Sequence, residues 1–222
     1  MKVAVSIIIP TLNEALGIER CLKNLQSLRE RGVEVIVSDG CSTDGTRELA
    51  ILYADNVIDT DPGRASQMNA GALLANGEFL LFLHSDTLLP AEFSQEWLTG
   101  LAWGFFQVKL SGVAWQFRLI ERAINLRSRL SGIGTGDQAL FIRRTLFESI
   151  DGFANIPLME DVELCRRLKA DSCPVIQRDP VTTSSRRWEQ RGIIRTVVQM
   201  WHLRLAFFLG ASPSNLVKQY YP

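Results

Sequence analysis

Three short segments of the chain, 3–9, 33–37 and 79–83, are apolar or β-branched at nearly every position. A strand with one face in water alternates polar and apolar residues, so near-continuous runs of this length belong to strands covered on both faces. Between them the period changes. Ile18, Cys21, Leu22, Leu25 and Leu28 recur at helical spacing after Asn13, a residue type suited to capping a helix start. Ser42, Thr43 and Asp44 offer capping side chains for a second helix through Leu49, Leu52 and Tyr53. A short strand follows at 57–59 and a small-residue helix at 64–76. The order β-α-β-α-β-α-β predicts an α/β fold, a mostly parallel central sheet with helices on both faces.

The second half is less regular. Strands are expected at Trp103–Leu110, 138–143 and 175–177, and helices at 117–130 and 161–170. A last helix over 193–209 carries positions 194, 197, 198, 201, 205, 208 and 209 as one apolar stripe. Trp103, Phe105 and Phe106 read as core. No repeat or linker divides the chain, and 222 residues suit a single domain over 1–222.

Lys plus Arg and Asp plus Glu both number 24, so no net field draws the chain to nucleic acid. The four cysteines, Cys21, Cys41, Cys165 and Cys173, form no CxxC pair and no zinc spacing, and read as free thiols of a reducing compartment. No apolar run reaches membrane-spanning length. The short apolar start meets Pro10 and Asn13 without a longer hydrophobic region or cleavage site, so no signal peptide is expected and a cytoplasmic location is.

In open parallel sheets ligands bind beyond the carboxyl ends of the strands. Three of those ends carry polar and acidic groups here: Pro10 to Glu14, Ser38 to Thr46, and His84-Ser85-Asp86-Thr87. Each alone has a structural reading, since Asp39-Gly40 and Asp44-Gly45 are turn dipeptides and Asn13 and Ser42 are caps. Three at one rim make a site. Glu160-Asp161 opens a later helix, where acids also suit the helix dipole. The glycines at 132, 134 and 136 lack the spacing and the position of a dinucleotide loop.

Taken together, residues 6–14 (SIIIPTLNE), 37–46 (VSDGCSTDGT), Gly63-Arg64, Asn69-Ala70-Gly71, 82–87 (FLHSDT), Gly152-Phe153 and Glu160-Asp161 resemble the inverting family-2 glycosyltransferases of the GT-A fold. Residues 181–188 and Tyr220-Tyr221 resemble a bacterial subgroup labelled selenodomain-associated transferases. The resemblance implies one GT-A domain with a nucleotide-sugar-binding half at 1–100, an acceptor and catalytic half at 101–190 and a C-terminal helical segment at 191–222. It implies that Thr11, Glu14, Asp39, Arg64 and Asp86 bind a nucleotide-diphosphate sugar, a UDP-sugar being the family's commonest donor. Asp86, with His84, would hold a divalent metal, Mn²⁺ or Mg²⁺, and Asp161 would be the catalytic base. Glu160 and Trp188 would lie on the acceptor side. Histidine stands at position 84 where the family usually has aspartate. Loss of that charge implies weaker metal affinity or a Mn²⁺ preference.

The alternative is a non-catalytic nucleotide-binding module of the same fold. A sugar-1-phosphate nucleotidylyltransferase is disfavoured, because residues 10–14 have neither the glycine nor the arginine that grips a triphosphate there. For the C-terminal helix two roles are expected, packing on the sheet or at a homo-oligomer interface, or contact with a membrane surface.

Overall fold

The structure, a computed structural model, describes residues 4–220; Val3 of the expected first strand and Tyr221 lie outside the described residues. The first half follows the expected alternation. β1 (Val5–Thr11), β2 (Glu34–Asp39), β3 (Asn56–Asp59) and β4 (Phe79–Phe82) run parallel. Between them lie α1 (Ala15–Glu30), α2 (Thr46–Ile51) and α3 (Arg64–Leu74). Successive strand residues point to opposite faces, and the core divides accordingly. Ile7, Ile9, Val35, Val37, Phe79 and Leu81 pack on one face with Ile18, Leu22 and Leu25 of α1. Ile8, Ile36, Leu80 and Phe82 pack on the other with Ala65, Met68 and Ala72 of α3. That helix lies unusually close to the sheet, because a Cβ on Gly71 would come within 2.6 Å of Ile8.

The second half adds β5 (Thr87–Leu88), β6 (Trp103–Leu110), α4 (Trp115–Ser131), β7 (Leu140–Arg143), α5 (Arg144–Ser149), α6 (Glu160–Asp171), β8 (Val175–Thr183), α7 (Arg186–Arg191), α8 (Ile193–Phe208) and α9 (Pro213–Tyr220). All strands join one eight-stranded sheet in the order β3-β2-β1-β4-β7-β6-β8-β5. β7 is antiparallel to both β4 and β6, β8 is parallel to β6, and β5 is antiparallel to β8. Trp103, Phe105 and Phe106 are fully buried, as core residues should be.

Two local readings are revised by the structure. Asn13 does not cap α1; it sits at φ 54° and its side chain accepts from the Thr43 amide at 2.9 Å. The α1 start is capped from across the loop instead, by Thr46 Oγ1 accepting from the Glu14 amide at 2.8 Å and Asp44 accepting from the Ala15 amide at 3.0 Å. The strand expected at 175–177 runs on to Thr183. Pro180 interrupts it, and the ladder with β6 shifts register between Phe106 and Val108, so the proline falls in a bulge where no amide donor is needed.

Candidate active site

The carboxyl ends of β1 and β4 and the start of α3 open onto one cavity of about 530 Å³, closed on its far side by the start of α6 and by α7, α8 and α9; the end of β2 supports this rim without lining it. Thr11, Glu14, Arg64, His84, Asp86, Glu160, Asp161 and Trp188 all line it. Asp39 lies beneath this wall. Its side chain is 1% exposed and accepts from Thr11 Oγ1 at 2.9 Å, from Ser42 Oγ at 2.6 Å and from the Ser42 amide at 2.7 Å. It thereby ties the β1 rim to the β2 loop. Gln67 makes the same join from below, donating to the carbonyls of Thr11 at 2.7 Å and Ser38 at 2.8 Å. Glu14 is met by Arg186 of α7 at 3.3 Å, which brings the C-terminal part of the chain over the first loop.

Of the acids that line the cavity, Asp161 is oriented by two backbone amides. One carboxylate oxygen accepts from the Gly136 amide and the other from the Val162 amide, each at 2.7 Å. Met159, just before α6, is held at φ 68°, a left-handed conformation costly for a side chain of this kind. That turn aims Glu160 and Asp161 at the cavity. Burial, and then the neighbouring Asp161 charge, push the Glu160 carboxyl above its usual range.

His84 and Asp86 face a partner the sequence did not suggest. The turn at Gly136–Gln138 places Asp137 Oδ1 3.3 Å from His84 Nδ1, while the Cε1–Nε2 edge of the imidazole lies where a Cβ on Gly136 would come within 2.3 Å. The hydrogen bond and charge of His84, with Arg64 and Arg187, hold the Asp137 carboxyl below the usual range. Asp86 is raised, by burial first and by Asp137 second. Among the described residues no three His, Cys, Asp or Glu side chains meet closely enough to enclose an ion. A metal bound together with a diphosphate needs only one or two protein carboxylates. Asp86 fits that role, with only a 3.4 Å contact from Thr87 Oγ1 engaging its carboxylate. Asp137 takes His84 Nδ1, so Nε2, packed against Gly136, is the nitrogen left to face an ion.

The profile of Glycosyl transferase family 2 matches residues 6–148. The chain belongs to this family. It is 32% identical over 161 residues to a PGL/p-HBAD biosynthesis glycosyltransferase of Mycobacterium tuberculosis, a match covering 65% of this chain and 61% of that one. Among solved structures, the fold is similar to S. aureus TarS in complex with UDP-GlcNAc (TM-score 0.64, 22% identity, 83% of this chain and 58% of that one). It is also similar to the mannosyltransferase PcManGT of Pyrobaculum calidifontis in complex with GDP-Man and Mn²⁺ (TM-score 0.63, 25% identity, 93% and 61%). Both support the GT-A architecture. The family match ends before Glu160, so the acceptor side rests on the geometry of this chain.

Proposed function

We propose that the chain transfers a sugar from a nucleotide-diphosphate donor to an acceptor hydroxyl with inversion, Asp161 taking the hydroxyl proton. The observation that carries this reading is the placement of Asp161, fixed by two backbone amides, across one cavity from Asp86 and the Thr11–Glu14 rim. A base within hydrogen-bond reach of the nucleophile contributes on the order of 10² to 10⁴ in rate. Residues 1–100 form the donor side, with Thr11, Glu14 and Arg64 at the nucleotide and Asp39 holding their loops in register. A UDP-sugar is the proposed donor, and the nucleotide-sugar complexes of the two similar structures support that class. Asp86 would hold Mn²⁺ or Mg²⁺ at the donor, where the metal would offset the charge that grows on the leaving group. Glu160 and Trp188 belong to the acceptor side. Membership of the selenodomain-associated subgroup is part of the same proposal, carried by the resemblance of residues 181–188.

The decisive comparison is Asp161→Asn against wild type. Slow hydrolysis of a UDP- or GDP-sugar, with water in place of the acceptor, should fall about 10² to 10⁴-fold while nucleotide affinity is unchanged. Equal hydrolysis by both proteins would remove Asp161 from the chemistry. Absence of any turnover in wild type, with nucleotide bound, would favour the binding-module reading.

The apolar stripe of α8 turns outward rather than onto the sheet. Ile194, Val198, Trp201, Leu205 and Phe208 are each more than half exposed, while Thr196 and Leu203 are the residues buried. From residue 192 to the end the sequence contains no acid and carries Arg195, Arg204 and Lys218. No described helix is long and apolar enough to cross a bilayer. An exposed aromatic and aliphatic face on a segment with bases and no acids fits an anionic membrane surface, and we assign α8 that role.

A further inference from the structure

The acceptor half of the cavity holds more positive charge than its own carboxylates match. Arg187 of α7 and Arg204 of α8 line it, and Arg127 of α4 lies close behind. Arg187 stacks on the Tyr220 ring at 3.7 Å and donates to the Tyr220 hydroxyl through Nη1, yet its Nε and Nη2 are buried without a hydrogen-bond partner among the described residues. Arg127 Nε is likewise buried and unpartnered, although its Nη2 donates to Ser128 Oγ at 2.9 Å. Among the described residues, none of these three guanidiniums has a carboxylate within ion-pair distance. Structural arginines elsewhere in the chain do: Arg29 meets Asp55 at 2.6 Å and Arg143 meets Glu78 at 2.7 Å.

Three acids lie near enough to compensate, and none does so fully. Asp137 is already engaged by His84 at 3.3 Å and shared with Arg64. The Asp161 oxygens are already engaged by the Gly136 and Val162 amides. Glu160 is pushed toward its neutral form by burial and by Asp161. Burial, and then the Arg204 charge, bring Arg127 down to about 10, and burial lowers Arg204 as well. Sheltered charges without partners are costly to fold around, so their retention at a cavity wall marks a site completed by a ligand. Guanidinium groups present planar pairs of donors that match phosphate and carboxylate oxygens.

We infer that the acceptor carries an anionic group, a phosphate, phosphonate or carboxylate, received by Arg204 and Arg187 beside Asp161. The inference rests on the transferase reading above and names its acceptor class. On the same reading the donor diphosphate is served by Arg64 and Asp86.

The test is calorimetric titration of the full chain, saturated with UDP and Mg²⁺, with orthophosphate and separately with acetate at fixed ionic strength. Wild type should bind at least one of them, and which one binds separates a phosphate-type acceptor from a carboxylate. Arg204→Gln should weaken that binding about tenfold or more with UDP affinity unchanged, and Arg204→Lys, which keeps the charge but loses the fork, should fall between. The melting temperature of unliganded Arg204→Gln should equal or exceed that of wild type, because an unpaired charge is removed; a merely structural arginine would lower it. The inference is overturned if neither anion binds wild type, or if Arg204→Gln binds anion as well as wild type does. Loss of UDP binding in Arg204→Gln would also overturn it, assigning the cluster to the donor. If wild type takes up no nucleotide, the transferase reading fails separately, and the same anion titration on nucleotide-free protein still reports on the arginines.

Discussion

At the residue scale, the site is an arrangement of acids with different surroundings. Asp161 is oriented by two backbone donors, whereas Glu160, its neighbour, is 4% exposed and lifted above the usual range by burial and by Asp161. A carboxyl whose folded pKa lies above its unfolded value loses stability as pH rises through that interval, and the cost stays in place at neutral pH. Glu160→Gln should therefore melt above wild type at pH 7, and the difference should close as pH falls to the unfolded value near 4.5. A constant difference across that range would show that Glu160 ionises without penalty. The thiols divide in the same way. Cys21 and Cys165 are buried, and desolvation pushes each up to about 12, while Cys41 and Cys173 are exposed. A thiol reagent at pH 8 should label Cys41 and Cys173 in the native protein and reach Cys21 and Cys165 only after unfolding, as peptide mapping would read directly.

At the element scale, β1, β2 and β4 and the helices between them were legible because each buried run was bounded by a change of period, as at Phe79 to Phe82. The rim was legible for a related reason, since Thr11, Asp39 and Asp86 sit at or just beyond strand ends where a parallel sheet leaves space. Two kinds of feature were not. Contacts made across the chain have no local signature: Asp44 capping α1, Asp137 reaching His84 and Arg186 reaching Glu14 all join segments far apart in sequence. The direction a helix faces was also hidden. The stripe on 193–209 leaves packing and surface contact both open in the sequence; in the structure α8 is anchored through Leu203, with Leu158, Met159, Leu216 and Tyr220 around it, and leaves the stripe in solvent. Trp201→Glu should abolish retention by vesicles containing anionic lipid, with stability within about 0.5 kcal/mol of wild type, as for surface positions generally. Retention unchanged by the substitution would contradict the membrane role. Dimerisation lost in its place would reassign the stripe to a second copy of the chain.

At the scale of the whole molecule, one sheet frames the whole cavity. Its parallel half presents the rim at Thr11 and Asp86, and its mixed half, through β7 and the turn at Gly136–Gln138, reaches back to Asp161 and His84. On the proposed function, donor and acceptor sides are coupled through that one short turn. The most direct test of the central claim is thermal unfolding with UDP and GDP, each with and without Mn²⁺, on wild type and Asp86→Ala. A ligand bound only by the folded state stabilises it by about 2.7 kcal/mol at a hundredfold excess over its dissociation constant. The account predicts that one nucleotide raises the melting temperature of wild type in a Mn²⁺-dependent way and that Asp86→Ala loses the effect. No shift with either nucleotide at millimolar concentration, or an equal shift in Asp86→Ala, would contradict it.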